Sequence, residues 1–362
     1  MGNATHSNAN RWLFLDAIRG IAAMAVVIQH IFWHFSPGFA TVFSTIWSPG
    51  RFGVVAFFIV SGFIVPRSLE LRGEIRAFWI SRFYRLFPSY WFSLLFIGLL
   101  PLAGIPALNT ADLGSLKQWL ANVTMLEGFA HVPDFNPVAW TLGLELVLYA
   151  GITVAYGKGI LKRTWLIALT ILTLIGVSSV LLPAMFHIRF PAGASAVFGS
   201  ILAGLALYRW FAGDLKKLEA LAISFLCLGV TVASSVVNYP VTRSTTDVLQ
   251  PTQLCAILSA ATGYLFFLGM LRMKNLKFPS WILWLGKVSY SLYLLHPIAL
   301  AIAPQSLSPL AALPIQIGLS LAFAWFGYEC VERPSVETAK RLLKSAAARV
   351  PAPAEPAYDR AA

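Results

Sequence analysis

The chain alternates between long apolar runs and short polar breaks, and ten of the runs are of membrane-spanning character. They cover Leu13–Phe35, Phe52–Val65, Leu86–Leu102, Val138–Tyr156 and Trp165–Leu182, then Ala192–Phe211, Leu218–Val237, Gln253–Leu271, Val288–Ala303 and Leu310–Val331. A spanning helix needs about 20 apolar residues, so the pattern predicts an all-α integral membrane protein, a bundle of about ten transmembrane helices. The second run is short. Its 14 residues reach only about 21 Å at 1.5 Å each, so it is expected to borrow from Trp47–Arg51 or to sit in a locally thinned, protein-lined place. Pro297 and Pro314 are expected to kink the last two runs. Two connections exceed a turn, a basic amphipathic one over Pro66–Arg85 and another over Pro106–Pro137, and no internal repeat is visible.

Composition agrees with this pattern and narrows the function classes. Hydrophobic residues make up 58% of the 362 and charged ones 12%, with a mean hydropathy of +0.72. Soluble domains carry about 25% charge, so a soluble enzyme, a disulfide scaffold and a disordered chain are all excluded. The net charge of +12 would suggest nucleic acid in a soluble protein. Topology accounts for it instead: with a cytoplasmic N-terminus, 23 of the 27 Lys and Arg face inward and only Arg51, Lys117, Arg189 and Arg243 face outward. Both termini are therefore expected in the cytoplasm of a cell (inner) membrane protein, with no nucleic-acid partner. Cys227, Cys255 and Cys330 lie in apolar runs and form no disulfide or zinc pattern. The first run carries Asp16 and Arg19 and is too long for a cleaved signal. Residues 1–335 are read as the transmembrane domain and 336–362 as a cytoplasmic tail, Ala/Pro-rich toward its end and expected to be disordered.

An ionisable side chain within hydrocarbon costs at least about 2.5–3.5 kcal/mol, so each one is a functional candidate. The first run holds Asp16, Arg19, His30 and His34. At 100° per residue Arg19 and His30 fall within about 20° of each other and Asp16 within about 40° of His30, a single polar stripe. Counting rises, Glu145 reaches nearly the depth of His30, and His296 lies near mid-bilayer. An imidazole suits proton removal near neutrality, and a carboxylate beside it fixes its tautomer, so His30 and Glu145 are read as a general-base pair. Hydrogen-bonded packing explains the same residues as well. His30 and His34, four apart, have the spacing of metal ligands, but no third ligand is spaced to join them, and no metal is expected. Arg82 and Arg85, in SRFYRLFPSYW, are three apart at an expected helix start, where two guanidiniums suit phosphate. Positive-inside anchoring accounts for them too. Gly53, Ser61 and Gly62 allow close approach of a helix or a thin ligand.

Six segments in order resemble the membrane-bound acyltransferase-3 family, whose members O-acylate sugars and other hydroxyl acceptors. LDAIRGIAAMAVVIQH resembles the opening helix with its Arg, ten residues, His signature at Arg19 and His30. RFGVVAFFIVSGFIV is similar to the second-helix motif, SRFYRLFPSYW contains the Arg-x-x-Arg pair at Arg82 and Arg85, and WTLGLELVLY places the matching acid at Glu145, with Thr141 where Ser is commoner. SYSLYLLHP and VERP resemble the late motifs through Tyr293, His296, Glu332 and Pro334.

The resemblance implies an acyl-CoA donor, in the simplest case acetyl-CoA, on the cytoplasmic side and a glycan or similar hydroxyl acceptor from the outer side. Acyl-CoA is then a substrate, and no permanently bound cofactor is implied. Arg82 and Arg85 are expected to hold the CoA phosphates, His30 to act as general base and Glu145 to orient it. Asp16, Arg19, Tyr293 and His296 are expected to support the site. The chain is expected to correspond to the stand-alone form, without the additional esterase-like domain of some relatives, so Trp119, Glu127, His131 and Asp134 of the outer connection are candidates for acceptor contact. A proton-coupled transporter or exporter is the competing reading, because intramembrane Asp, Arg, His and Glu also build relays.

Overall fold

The computed structural model describes residues 12–35, 37–105, 108, 115–240, 251–304 and 308–348. Its helices in chain order are α1 (Leu13–Phe35), α2 (Pro37–Thr45), α3 (Pro49–Arg72), α4 (Ile75–Leu99), α5 (Leu116–Val123), α6 (Glu127–Ala130), α7 (Trp140–Gly157) and α8 (Thr164–Gly176). They continue with α9 (Leu182–Phe186), α10 (Ala192–Phe211), α11 (Lys217–Asn238), α12 (Gln253–Arg272), α13 (Ser280–Ile302), α14 (Pro309–Gly327) and α15 (Arg333–Ala348). Ten helical stretches are long and apolar enough to cross a membrane, and no strand occurs among the described residues. The protein is a multi-pass, all-α membrane protein. Pro66, Pro88, Pro297 and Pro314 all lie inside long helices.

The second run is extended at both ends: α3 takes in Pro49–Arg51 before it, within the stretch it was expected to borrow from, and also Pro66–Arg72 after it, which was read as a connection, 24 residues in all. Its start is set by Ser48, whose hydroxyl accepts from the Arg51 N–H at 3.1 Å, and by Pro49 in the first turn. Gln29 of α1 reaches across, its Oε1 accepting from the Ser48 hydroxyl (2.6 Å) and the Gly50 N–H (2.9 Å). Its end is set by Gly73, whose φ of 69° lets its N–H return to the Leu69 carbonyl. The expected connection over Pro66–Arg85 is therefore a two-residue turn, Gly73–Glu74, between two spans. Arg82 and Arg85 lie about 10 and 15 Å along α4 rather than at a helix start.

The tail departs as well. Residues 336–348 expected to be disordered continue the last span as α15, with Arg333 bridging Glu329 (2.7 Å) and Glu337 (3.2 Å) one turn to either side. A π turn over Tyr328–Glu332 separates α14 from α15 and shifts the helical register there. Residues 349–362 lie outside the described residues.

Apolar helices in lipid gain little from hiding apolar surface from one another, so close backbone packing has to hold the bundle together. Helices α3, α10 and α13 are the innermost, with 72% of their span positions buried, whereas the stretch beginning with α8 has 17%. Glycines permit the two tightest crossings. A Cβ on Gly62 would overlap the Ile201 carbonyl, and one on Gly204 the Ile59 carbonyl, so α3 and α10 meet backbone to backbone. A Cβ on Gly286 would overlap the Asp16 carbonyl, which seats α13 on α1. At one end of the bundle, fully buried Arg209 bonds Glu70 (2.6 Å), Asp214 (3.0 Å) and the Leu161 carbonyl (3.1 Å), tying α10 to α3. These crossings fix α1, α3 and α13 around a shared interior.

Candidate functional site

Two cavities occupy that interior. The larger, about 1130 Å³ including its open mouth, has five arginines on its wall: Arg19, Arg67, Arg72, Arg82 and Arg85. The smaller, about 440 Å³, is walled mainly by apolar residues such as Ala22, Val26, Phe58 and Leu142, with Thr141 and Tyr293 among its few polar side chains. Phe57, Glu145 and Tyr290 belong to both walls. Glu145 therefore stands at the junction between a basic chamber and an apolar one.

Glu145 is buried on α7, and its partner is one turn along: the Tyr149 hydroxyl donates to Oε1 at 2.5 Å. The sequence reading put Glu145 against His30. Residues of both helices line the apolar chamber, but no hydrogen bond joins these two side chains. Tyr149, absent from the sequence candidates, also stacks beneath Arg82, whose guanidinium carbon is 5.4 Å from the ring centroid and 5.2 Å from that of Phe78. Arg82, Tyr149 and Glu145 thus form a continuous path from the basic chamber to the junction.

His30 meets His296. Its Nε2 lies 3.0 Å from His30 Nδ1 across the α1–α13 interface, and the ring centroids are 5.0 Å apart. His30 Nδ1 is also 3.1 Å from the Val26 carbonyl, one turn back along α1, and Val26 lines the apolar chamber. Tyr293, one turn before His296, donates to the Val138 carbonyl (2.8 Å) and lies 2.9 Å from the Thr141 hydroxyl, holding α13 against α7. Asp16 and Arg19 approach at 4.0 Å, and Arg19 lines the basic chamber.

Arg82 and Arg85 share the basic wall with different commitments. Arg85 makes a 2.6 Å ion pair with Glu332, which is fully buried and accepts from the Ser291 hydroxyl at 2.6 Å. Arg82 Nε is buried without a hydrogen-bond partner. Arg67 and Arg72, read from sequence only as inside charge, also line the chamber, and Arg67 stacks on Trp12 at 4.1 Å. No group of three or more His, Cys, Asp or Glu converges as a metal site among the described residues, and the His34 side chain lies outside them.

At the other end, the segment over residues 115–137 lies on the bundle rather than looping free. Asn122 donates to the Gln118 and Pro133 carbonyls and accepts from the Phe135 N–H, and Asn136 donates to the Leu294 carbonyl of α13. Trp119 packs on Phe135 at 4.7 Å, Asp134 is half-buried and His131 is exposed. Glu127 is only 1% exposed, so it is not available as a surface contact for an acceptor. Burial is the main cause that raises its carboxyl to about 7 and that of Asp134 to about 6.

Comparison with known proteins agrees with these features. An acyltransferase domain model matches residues 12–329, nearly the whole described chain. The acyltransferase MdmB of Streptomyces mycarofaciens is 26% identical over 234 residues, which are 60% of this chain and 56% of that protein. No solved structure matches. The chain spans little more than half the length of that relative, but with ten spanning helices and a family-model match of this extent it belongs to the acyltransferase-3 family and is a multi-pass membrane protein.

Proposed function

We propose that this protein transfers an acyl group, in the simplest case acetyl, from cytoplasmic acyl-CoA to a hydroxyl of an exported or cell-surface glycan or similar acceptor, in the inner membrane. The observation that carries this reading is the position of Glu145 on the walls of both chambers. A thioester donor has a polyanionic head and a small apolar reacting end, and the two chambers match those ends in charge and polarity. Arginine forks suit phosphate oxygens, so Arg82, with Arg67 and Arg72, would take the CoA phosphates. The pantetheine arm would then run along α1 from Arg19 toward His30, a climb of about 16 Å for eleven residues.

At the far end the acceptor hydroxyl meets the thioester. His30 Nε2 takes the hydroxyl proton as the oxygen attacks the thioester carbonyl carbon. The new C–O bond forms, the C–S bond breaks, and the departing sulfur recovers the proton from the imidazolium, giving ester and free CoA. Such a positioned base contributes about 10²- to 10⁴-fold. Glu145 would place negative charge near the transient imidazolium without touching it.

The test is sidedness. In proteoliposomes of known protein orientation, [¹⁴C]acetyl-CoA supplied to the basic face should label acceptor presented at the opposite face. Acetyl-CoA supplied only to the opposite face should give none. Equal labelling from both sides, or flux of an unmodified solute without CoA release, would overturn the reading in favour of a surface enzyme or a transporter. Mass spectrometry of envelope glycans with and without the gene would show the acetyl mass of about 42 Da on the acceptor.

A further inference from the structure

The hydrogen-bond chain through the two histidines determines which nitrogen of His30 carries its proton. His296 Nδ1 lies 3.1 Å from the Leu292 carbonyl. A carbonyl accepts and never donates, so His296 Nδ1 must carry hydrogen. In a neutral ring Nε2 is then an acceptor, and it faces His30 Nδ1 at 3.0 Å. His30 Nδ1 faces the Val26 carbonyl as well, so both of its neighbours there accept. The proton of a neutral His30 therefore belongs on Nδ1, and Nε2 bears the lone pair. The opposite assignment would point a bare Nδ1 at the Val26 carbonyl and a bare His296 Nδ1 at the Leu292 carbonyl, two lone-pair repulsions in a buried site.

We infer that His296 is a positioning residue that locks His30 in its Nδ1–H tautomer, with the Leu292 carbonyl as the anchor of the relay. The inference rests on His30 being the base of the reaction proposed above. It replaces the carboxylate of the familiar base-orienting arrangement with a neutral imidazole tied to a backbone carbonyl. His296 is fully buried, so no solvent competes for its ring. A backbone anchor cannot ionise, which makes the lock independent of pH as long as both rings stay neutral. The one-turn step from Leu292 to His296 and the tight α1–α13 crossing at Gly286 explain why a contact between residues 266 apart in sequence can hold at hydrogen-bond distance.

The test combines a spectrum with kinetics on the purified full-length protein. ¹⁵N spectra of histidine-labelled protein, with His30→Gln and His296→Gln used for assignment, should show His30 protonated on Nδ1 and bare on Nε2. His296→Ala should lower kcat for acetyl-CoA-dependent transfer by roughly 10²-fold or more with the acetyl-CoA KM unchanged. His296→Gln, whose side-chain carbonyl can still accept from Nδ1–H, should recover most of that loss. An Nε2–H tautomer in the wild type, or wild-type kcat in a folded His296→Ala, would overturn the inference. Retained activity in His30→Ala would instead sink the base assignment while leaving the tautomer spectrum as described, so the two failures are distinguishable.

Discussion

Arg85 and Glu332 close a buried 2.6 Å ion pair on the wall of the basic chamber, and the π turn at Tyr328–Glu332 is what carries the carboxylate there. The two arginines of the Arg-x-x-Arg pair are therefore not equivalent. Arg85 neutralises a fixed internal acid and ties α4 to the end of the last span, whereas Arg82 stacks on Phe78 and Tyr149 and faces the chamber. Arg82→Ala should raise the acetyl-CoA KM about tenfold or more with little change in melting temperature, and Arg82→Lys should fall between because the fork is lost. Arg85→Ala should act mainly on stability, as it strands Glu332 as a buried charge, a change worth about 3–5 kcal/mol in deeply buried pairs and less here because Arg85 keeps some exposure. Steady-state kinetics and thermal unfolding on both variants check the split.

Tyr149 predicts a different signature. Its hydroxyl is the hydrogen-bond donor to Glu145 at 2.5 Å, and hydrogen bonds to charged groups are worth about 1.5–3 kcal/mol. Tyr149→Phe keeps the ring beneath Arg82 and removes that bond. The kcat should fall about 10- to 150-fold with the acetyl-CoA KM nearly unchanged, as measured by initial rates over a range of donor concentration.

The segment covering the far end of the bundle should respond to pH. Burial first, and then the neighbouring Asp134, lift the Glu127 carboxyl from 4.5 to about 7, so the folded protein binds a proton there more tightly than the unfolded chain. The stability that protonated Glu127 contributes is complete below about pH 4.5 and is lost as pH rises through about 7. Glu127→Gln should therefore match the wild type near pH 5 and melt at a higher temperature near pH 8. Thermal melting at the two pH values measures this, and a destabilised variant at pH 8 would contradict it.

Crossing glycines give a fold-level prediction with a built-in control. Gly62→Ala and Gly204→Ala each place a methyl against backbone of the partner helix and should sharply reduce the yield of folded protein. Gly98→Ala on α4 meets nothing within 4 Å and should be tolerated. Size-exclusion profiles of the three variants in detergent check the contrast.

Much of this was legible in the chain itself, for identifiable reasons. Hydropathy alone finds the ten spans, and helical periodicity alone places Arg19 and His30 on one stripe. The turn at Gly73–Glu74 was hidden because Arg67, Arg72, Arg82 and Arg85 make Pro66–Arg85 look like a surface connection. Four arginines are tolerated inside two spans because they face a polar chamber rather than lipid. The pairing of His30 with His296 depends on a helix crossing that no local pattern encodes. Depth counting set Glu145 beside His30, but its hydrogen bond to Tyr149 is a matter of side-chain direction. Glu332 was visible only within a motif, since a π turn sets the face it occupies.

The most direct measurement is transfer of label from [¹⁴C]acetyl-CoA, by purified wild type and His30→Ala, to native membranes as the source of acceptor, with melting curves on both proteins. Transfer by the wild type and at least a hundredfold loss in a normally folded His30→Ala is the predicted result. Undiminished transfer by the folded variant would contradict it.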